Sequence, residues 1–293
     1  MTAWVDEATA AAGEDRIWSK GFQFGDWLDP TAPAGRPEQA QTYPEIVATA
    51  YFARSARIVA DAAALLGRDA DAELYGALAD EVAQAFEAEY VSRSGRLLSD
   101  SVTAYALALE FDLIRDVAAC RRAADKLADL VRGHGYKLAT GFIGTPLVCD
   151  ALSRHGHADA AYRLLLQTEN PSWLYSVKAG ATTIWERWDS LLPDGTVNPS
   201  GMTSFNHYAF GAVADWLHRV VAGLAPAEPG YRRIRVAPQP PRQSATLWRA
   251  THADEQARNR SRRIQPRQIH PRPPAQRAYR RRRRRDQSVP DHR

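Results

Sequence analysis

The sequence predicts an all-α fold. Three observations carry that expectation: apolar residues recur at helical spacing from about residue 43 to residue 223, glycines and short links punctuate the segments, and period-two alternation is almost absent. One weak strand is expected at 231–237. Successive helices joined by short links form antiparallel hairpins.

The first long helix begins near residue 43. Val47, Tyr51, Ile58, Ala62 and Leu65 step by four, seven, four and three, which places them on one helical face. Thr42 followed by Glu45 reads as a capping box, Pro44 suits a first turn, and Gly67 follows Leu65-Leu66 as a stop. The same period returns at Leu74, Leu78, Val82 and Phe86, then at Val102, Tyr105, Leu109 and Leu113, then at Val117, Cys120, Ala124, Leu127 and Val131. Gly95 and Gly133 stand where C-terminal glycines end such segments. Shorter helices are expected at 146–155, opened by Thr145-Pro146, and at 157–168. A last one is expected over 205–223, with Val213, Trp216, Val220 and Leu224 in register.

Three connections are long: 13–42, 132–145 and 168–204. Loops of that length without regular structure are as a rule functional or disordered. Disorder does not suit these, because they carry Trp18, Phe22, Phe24, Trp27, Phe142, Trp173, Tyr175, Trp185 and Trp188. Aromatic residues gathered in loops point to a lined cavity.

Composition sets the outer limits. The chain has 293 residues, with 38 Lys+Arg against 34 Asp+Glu for a formal charge of +4. Residues 241–293 alone hold 16 Arg, no Lys and 4 acids, a charge of +12, so residues 1–240 carry 22 bases against 30 acids, a charge of −8. The acidic body is long enough to bury a full core as one or two domains. Its 45% hydrophobic and 25% charged residues exclude collagen-like and fully disordered chains. Two cysteines, Cys120 and Cys149, exclude a disulfide scaffold and are expected to be buried, inert thiols. The first residues have no basic and apolar leader pattern, and no apolar run approaches the ~20 residues that span a bilayer. As written, the chain is expected to be soluble and cytoplasmic, with no membrane partner.

Signatures of nucleotide, serine-nucleophile, Cys-x-x-Cys and His-Glu-x-x-His chemistry do not occur. Two carboxylate clusters among aromatics do. In the first, Gly21–Pro30, Asp26 and Asp29 flank Trp27; Asp29 can cap a turn before Pro30 and Asp26 can accept local backbone amides. In the second, Gly180–Asp189, Glu186 stands between Trp185 and Trp188 beside Arg187. Apolar walls raise a carboxylate's pKa and a cation lowers it, so such a setting can poise an acid or base. The structural alternative is an ion pair of Arg187 with Glu186 or with Asp189. His207, opening the next helix in Ser204-Phe205-Asn206-His207-Tyr208, suits either a structural donor or a catalyst. Its neighbours Asn206 and Tyr208 can bond hydroxyls. Carboxylates among flat rings fit sugar chemistry, because rings stack on the C–H face of a pyranose while paired acids move protons.

Here the chain resembles a known family. The strings GFQFGDWLDP, TGFIGTP, NPSWLYSVKAGATTIWERWDSL and SFNHYAFGAV, in that order, are similar to those of the bacterial α-L-rhamnosidases of glycoside hydrolase family 78, over about residues 1–238. The resemblance implies an (α/α)6 six-hairpin barrel with its aromatic loops at one end. It also implies inverting hydrolysis of terminal α-L-rhamnosides, with a rhamnose-containing glycoside as partner and no metal or organic cofactor. Carried over by motif, Glu186 would be the general base that activates water. Asp26 and Trp27 would line the sugar subsite, Trp185 and His207 would contact the rhamnose, and Trp173 and Phe142 would form pocket wall.

Two departures qualify the resemblance. The family's acid-bearing R-D-E-R-x-G-W-x-G-D-like string does not occur here, and Met1 falls inside a barrel helix, so the barrel is expected to be incomplete at its N-terminus. The expected organisation is a partial catalytic barrel over 1–230, the start of a β segment at 231–240, and a disordered Arg-rich tail over 241–293. Six consecutive arginines at 280–285, with Pro, Gln and His around them, have the bias of a GC-rich coding sequence read out of frame. A phosphate-binding arm is the functional alternative, but it lacks an accompanying fold or aromatic interleaving. Weak or absent turnover by the chain alone and self-association through an exposed barrel flank are therefore expected. Alternative readings are another helical-hairpin glycosidase or lyase, or a non-catalytic sugar-binding remnant.

Overall fold

A computed structural model of the chain describes residues 1–241, and the Arg-rich segment beyond lies outside the described residues. Eight helices come first: α1 (Thr2–Ala12), α2 (Pro44–Leu65), α3 (Asp69–Tyr90), α4 (Val102–Glu110), α5 (Val117–Gly133), α6 (Thr145–Arg154), α7 (Ala158–Leu165) and α8 (Trp173–Lys178). A continuous run follows, made of a 3₁₀ turn (Ala209–Ala212), α9 (Val213–Trp216) and a π turn (Leu217–Val221). The strands β1 (Leu224–Pro226) and β2 (Ile234–Val236) pair antiparallel, with Ala225 opposite Arg235.

Pairs α2/α3, α4/α5 and α6/α7 are hairpins. Helices α2, α4, α6 and α9 touch in succession as one row, with α3, α5 and α7 behind them. Alternate helices of antiparallel hairpins run the same way, so the N-termini of the front row gather at one end. The connections 13–43, 134–144 and 166–208 each lead into a front-row helix. That topology brings the aromatic loops together, while the short links at 66–68, 111–116 and 155–157 lie at the other end.

Helix α4 is the centre of the core. All residues from Val102 to Leu109 are buried, and Ser101 caps the helix by accepting the Ala104 N–H at 3.3 Å. A helix apolar on every side needs neighbours on every side, and α2, α5 and α6 supply them. Phe52, Phe86, Tyr105 and Trp216 are among the largest fully buried side chains, each contributing roughly 1.5–3 kcal/mol by burial. Cys149 is buried and Cys120 half-buried, both as free thiols, and burial pushes the Cys149 thiol far up.

Several local expectations are corrected. Thr42 does not cap α2: Tyr43 is the N-cap, and the Thr42 hydroxyl lies 2.7 Å from that of Ser101 in the interior. The expected face of α2 is displaced. Ile58 is 39% and Leu65 87% exposed, while Ile46, Ala50, Ala53, Ala56, Ala60 and Ala63 are buried. Small side chains let α2 approach its neighbours closely, so alanine rather than bulk marks the packed stripe. Gly135, at φ +65°, takes the left-handed turn after α5, not Gly133. The loop 168–204 contains helix α8, capped by Ser172 accepting from Tyr175 N–H. The last helical run starts at Ala209, so His207 precedes it rather than opening it. The expected strand shortens to β2 and gains β1 as its partner.

Candidate active site

Asp26 is fully buried and, from the loop before α2, ties together the entrances of α4 and α6. One oxygen, Oδ2, accepts the Thr103 hydroxyl at 2.5 Å and the Gly141 N–H at 2.8 Å. The other, Oδ1, accepts the Ile143 N–H at 2.9 Å and the Gly144 N–H at 3.0 Å. Thr103 is in the first turn of α4, and the three amides precede α6. Successive amides turned toward one point form an anion-binding nest, here filled from within the chain. Burial pushes the Asp26 carboxyl up to about 6, against the lowering effect of the Thr103 hydroxyl and the Gly141 and Gly144 amides.

Close approach explains the glycines of Thr140-Gly141-Phe142-Ile143-Gly144-Thr145-Pro146. A Cβ on Gly141 would stand 2.2 Å from the Trp27 carbonyl oxygen, and one on Gly144 2.0 Å from Thr103 Oγ1. Between them, the Phe142 N–H donates to the Trp27 carbonyl at 2.9 Å. Segments 26–27 and 141–144 are thereby registered on each other.

The rings they carry form a wall. Phe24 meets Phe22 and Trp27 edge to face at 5.0 and 5.5 Å between centroids. Phe142 stacks on His207 at 4.9 Å and 22°, and Tyr208 stacks on the same imidazole at 4.9 Å. Trp27, Phe142 and His207 are half-buried, with Phe22, Phe24 and Tyr208 exposed. His207 Nδ1 accepts the Ala209 N–H at 3.3 Å, which leaves the neutral ring's own N–H on Nε2 as a donor.

Glu186 and His207 lie on two irregular segments, 183–186 and 204–207, that are hydrogen-bonded to each other. The His207 N–H donates to the Ile184 carbonyl and the Glu186 N–H to the Ser204 carbonyl, both at 2.8 Å. The Thr183 hydroxyl donates to the Phe205 carbonyl. Glu186 Oε2 accepts the Ser204 N–H at 3.1 Å. Arg187 turns away and grips Asp189, Nε to Oδ1 at 2.6 Å, with Asn198 donating to Asp189 Oδ2 at 2.7 Å. Of the two ion pairs the sequence allows, the structure forms the one that leaves Glu186 unpaired among the described residues.

The remaining candidates sit deeper. Trp173 and Trp185 are 6% and 5% exposed. Trp173 donates its Nε1–H to the Phe210 carbonyl and packs edge-on against Trp188, which stacks on Phe210 at 3.8 Å. Trp185 meets Phe205 edge to face at 5.4 Å. Both rings therefore back the wall rather than offer a face to it. Asp26 likewise has no open surface, and Asp29 accepts the Thr31 N–H and hydroxyl, fixing the turn after Pro30. Thr103 carries no signal in the sequence, being one threonine in a buried helix. The glycine pair 141 and 144 was the available clue to the nest.

Two cavities border this region. One of about 340 Å3 is lined by Asp29, Arg187, Trp188, Asp189 and Asn198 among others. The second, about 590 Å3 and mostly apolar, is lined by Trp4, Trp18, Phe24, Val47, Tyr51 and Ile143 among others. Glu186, half-buried, lines neither. Among the described residues, no three His, Cys, Asp or Glu side chains converge as a metal site requires.

Residues 1–221 match the family of the bacterial α-L-rhamnosidase six-hairpin glycosidase domain. An α-L-rhamnosidase of Streptomyces avermitilis is 42% identical over 230 residues, covering 78% of this chain and 21% of that protein. One from Formosa agariphila is 39% identical over 242 residues, covering 82% of this chain and 26% of that protein. The crystal structure of native α-L-rhamnosidase from Aspergillus terreus matches with a TM-score of 0.77 at 39% identity, over 82% of this chain and 28% of that one. The Streptomyces avermitilis enzyme complexed with L-rhamnose matches at 0.73 and 38% identity, over 82% of this chain and 22% of that one. The chain thus spans about a quarter of the length of these relatives.

Proposed function

We propose a function from one premise: the chain belongs to the bacterial α-L-rhamnosidase six-hairpin glycosidase domain family. The all-α class and the six-hairpin architecture implied by its motifs are borne out with it. The proposed reaction is hydrolysis of a terminal α-L-rhamnoside with inversion, and the residue that activates water is Glu186. The observation that carries this reading is the division of labour beside Trp185: Asp189 takes Arg187, and Glu186 keeps a free oxygen. The Ser204 N–H orients the carboxylate, and the free oxygen takes the proton of a water that attacks the anomeric carbon. Phe142 and Trp27 offer apolar surface to the C–H side of the ring. His207 offers its Nε2–H to a sugar hydroxyl. Trp173 and Trp185 support these rings from behind.

Inversion needs a second carboxyl ~6.5–9.5 Å from the first to protonate the leaving oxygen. Asp26 is enclosed by four donors and Asp189 is paired, so neither is free for that task. With the family's acid-bearing string absent from the sequence, the chain by itself should turn natural glycosides over weakly or not at all. A panel of aryl glycosides tests the substrate class. Release from the α-L-rhamnoside alone supports it, and equal or better release from another glycoside overturns it.

Sugar binding without turnover is the second reading, favoured by the same engagement of Asp26 and Asp189. Calorimetry with L-rhamnose separates the two, because binding without release from the aryl rhamnoside supports the second. We further propose that the apolar cavity beside α1 and α2 makes the chain self-associate. No helix among the described residues is long and apolar enough to cross a membrane. The arginine run and the phosphate-binding alternative attached to it lie outside the described residues.

A further inference from the structure

We propose that Asp26 is the positioning residue of this site, holding Trp27 and Phe142 in register and Phe142 against His207, without touching the sugar itself. This rests on the rhamnoside reading for its consequence, though not for its geometry. The carboxylate has no exposed surface, and its four donors come from two separate places in the chain: Thr103 at the start of α4, and Gly141, Ile143 and Gly144 before α6. Phe142 lies between two of the amide donors, and its own N–H is bonded to the carbonyl of Trp27, the residue after Asp26. The nest cannot slide, because Gly141 and Gly144 already stand at backbone and hydroxyl contact. Any change at Asp26 is therefore passed to the two rings that form the wall, and through the Phe142 stack to His207.

An amide in place of the carboxylate would set its NH2 against N–H donors, leaving at least one buried donor without an acceptor. Segment 141–144 would then move while the helices stay packed. The test uses the full chain and Asp26→Asn, with two independent readouts. The stacked Phe142 ring shifts the His207 imidazole protons upfield. Positioning predicts that this shift collapses in Asp26→Asn, that the Gly141, Ile143 and Gly144 amides lose exchange protection, and that helix α4 keeps its own. L-rhamnose affinity should fall about tenfold. An unchanged His207 shift in a folded Asp26→Asn overturns the proposal, as does unchanged rhamnose affinity once the shift has collapsed. If Asp26→Asn does not fold, Thr103→Val removes one donor isosterically and Thr103→Ser restores it. A His207 shift lost in the first and recovered in the second supports positioning, and a shift unmoved in both overturns it. Should the parent chain bind no rhamnose, the rhamnoside reading fails, while the imidazole shift still decides the role of Asp26.

Discussion

The ring of Phe142 lies face to face with the imidazole of His207, 4.9 Å between centroids and 22° from parallel. The two residues come from the loops before α6 and before α9, so the stack is where separate hairpins meet at the site. Replacing Phe142 by Ala should weaken L-rhamnose binding by about 1–2 kcal/mol, through loss of ring contact and of His207 orientation. Titration calorimetry measures it. Affinity within twofold of the parent would remove Phe142 from the wall.

Gly144→Ala should destabilise the fold by about 1–3 kcal/mol, because the new Cβ would stand 2.0 Å from Thr103 Oγ1 in a closed interior. Gly133→Ala is the contrasting change. It ends α5 with nothing within 4 Å of an added Cβ, and should be neutral or stabilising by up to about 1 kcal/mol. Urea denaturation of both variants gives the comparison.

Stability should depend on pH through Asp26. Its folded pKa of about 6 lies above the ordinary carboxylate value of 3.8. Between those values the folded chain holds a proton that the unfolded chain has released. The group's contribution is therefore greatest below about pH 4, falls as pH rises toward 6, and is level above that, a change on the order of 3 kcal/mol. Asp26→Asn should lack this segment of the stability profile. A carboxyl-carbon NMR titration of the parent gives the same answer without the variant, and a midpoint near or below 4 would contradict it.

Sedimentation velocity should show association that grows with concentration, driven by the surface around Trp4, Trp18, Phe24 and Tyr51. A monomer across a hundredfold range of concentration would count against the exposed flank as a contact surface.

The helices were legible in the sequence because stretches such as α3, 22 residues long, keep their apolar period without interruption. Which face of α2 packs was not legible, since hydrophobic bulk points to Ile58 and Leu65 whereas closeness of approach selects the alanines. Asp26 drew notice by its setting, but its amide partners lie 115 to 118 residues away and no local pattern announces them. The choice of partner for Arg187 also needed the structure. Residues 186–190 run through bends and a turn, with the Ser190 N–H donating to the Arg187 carbonyl at 3.3 Å, and sequence adjacency alone does not say that this turn sets Arg187 on Asp189 and not on Glu186. The aromatic loops were recognisable as a group, yet only the burial of Trp173 and Trp185 separates the supporting rings from the presented ones.

The most direct test of the central claim is turnover of an aryl α-L-rhamnoside with a good leaving group, compared between the parent chain and Glu186→Gln. Such a substrate needs little protonation of its leaving oxygen, so the water-activating step is isolated. The account predicts slow release by the parent, with β-rhamnose as the first product by NMR, and a loss of about 10²–10⁴-fold in Glu186→Gln. Release at the same rate by both proteins, or α-rhamnose as the first product, would contradict it.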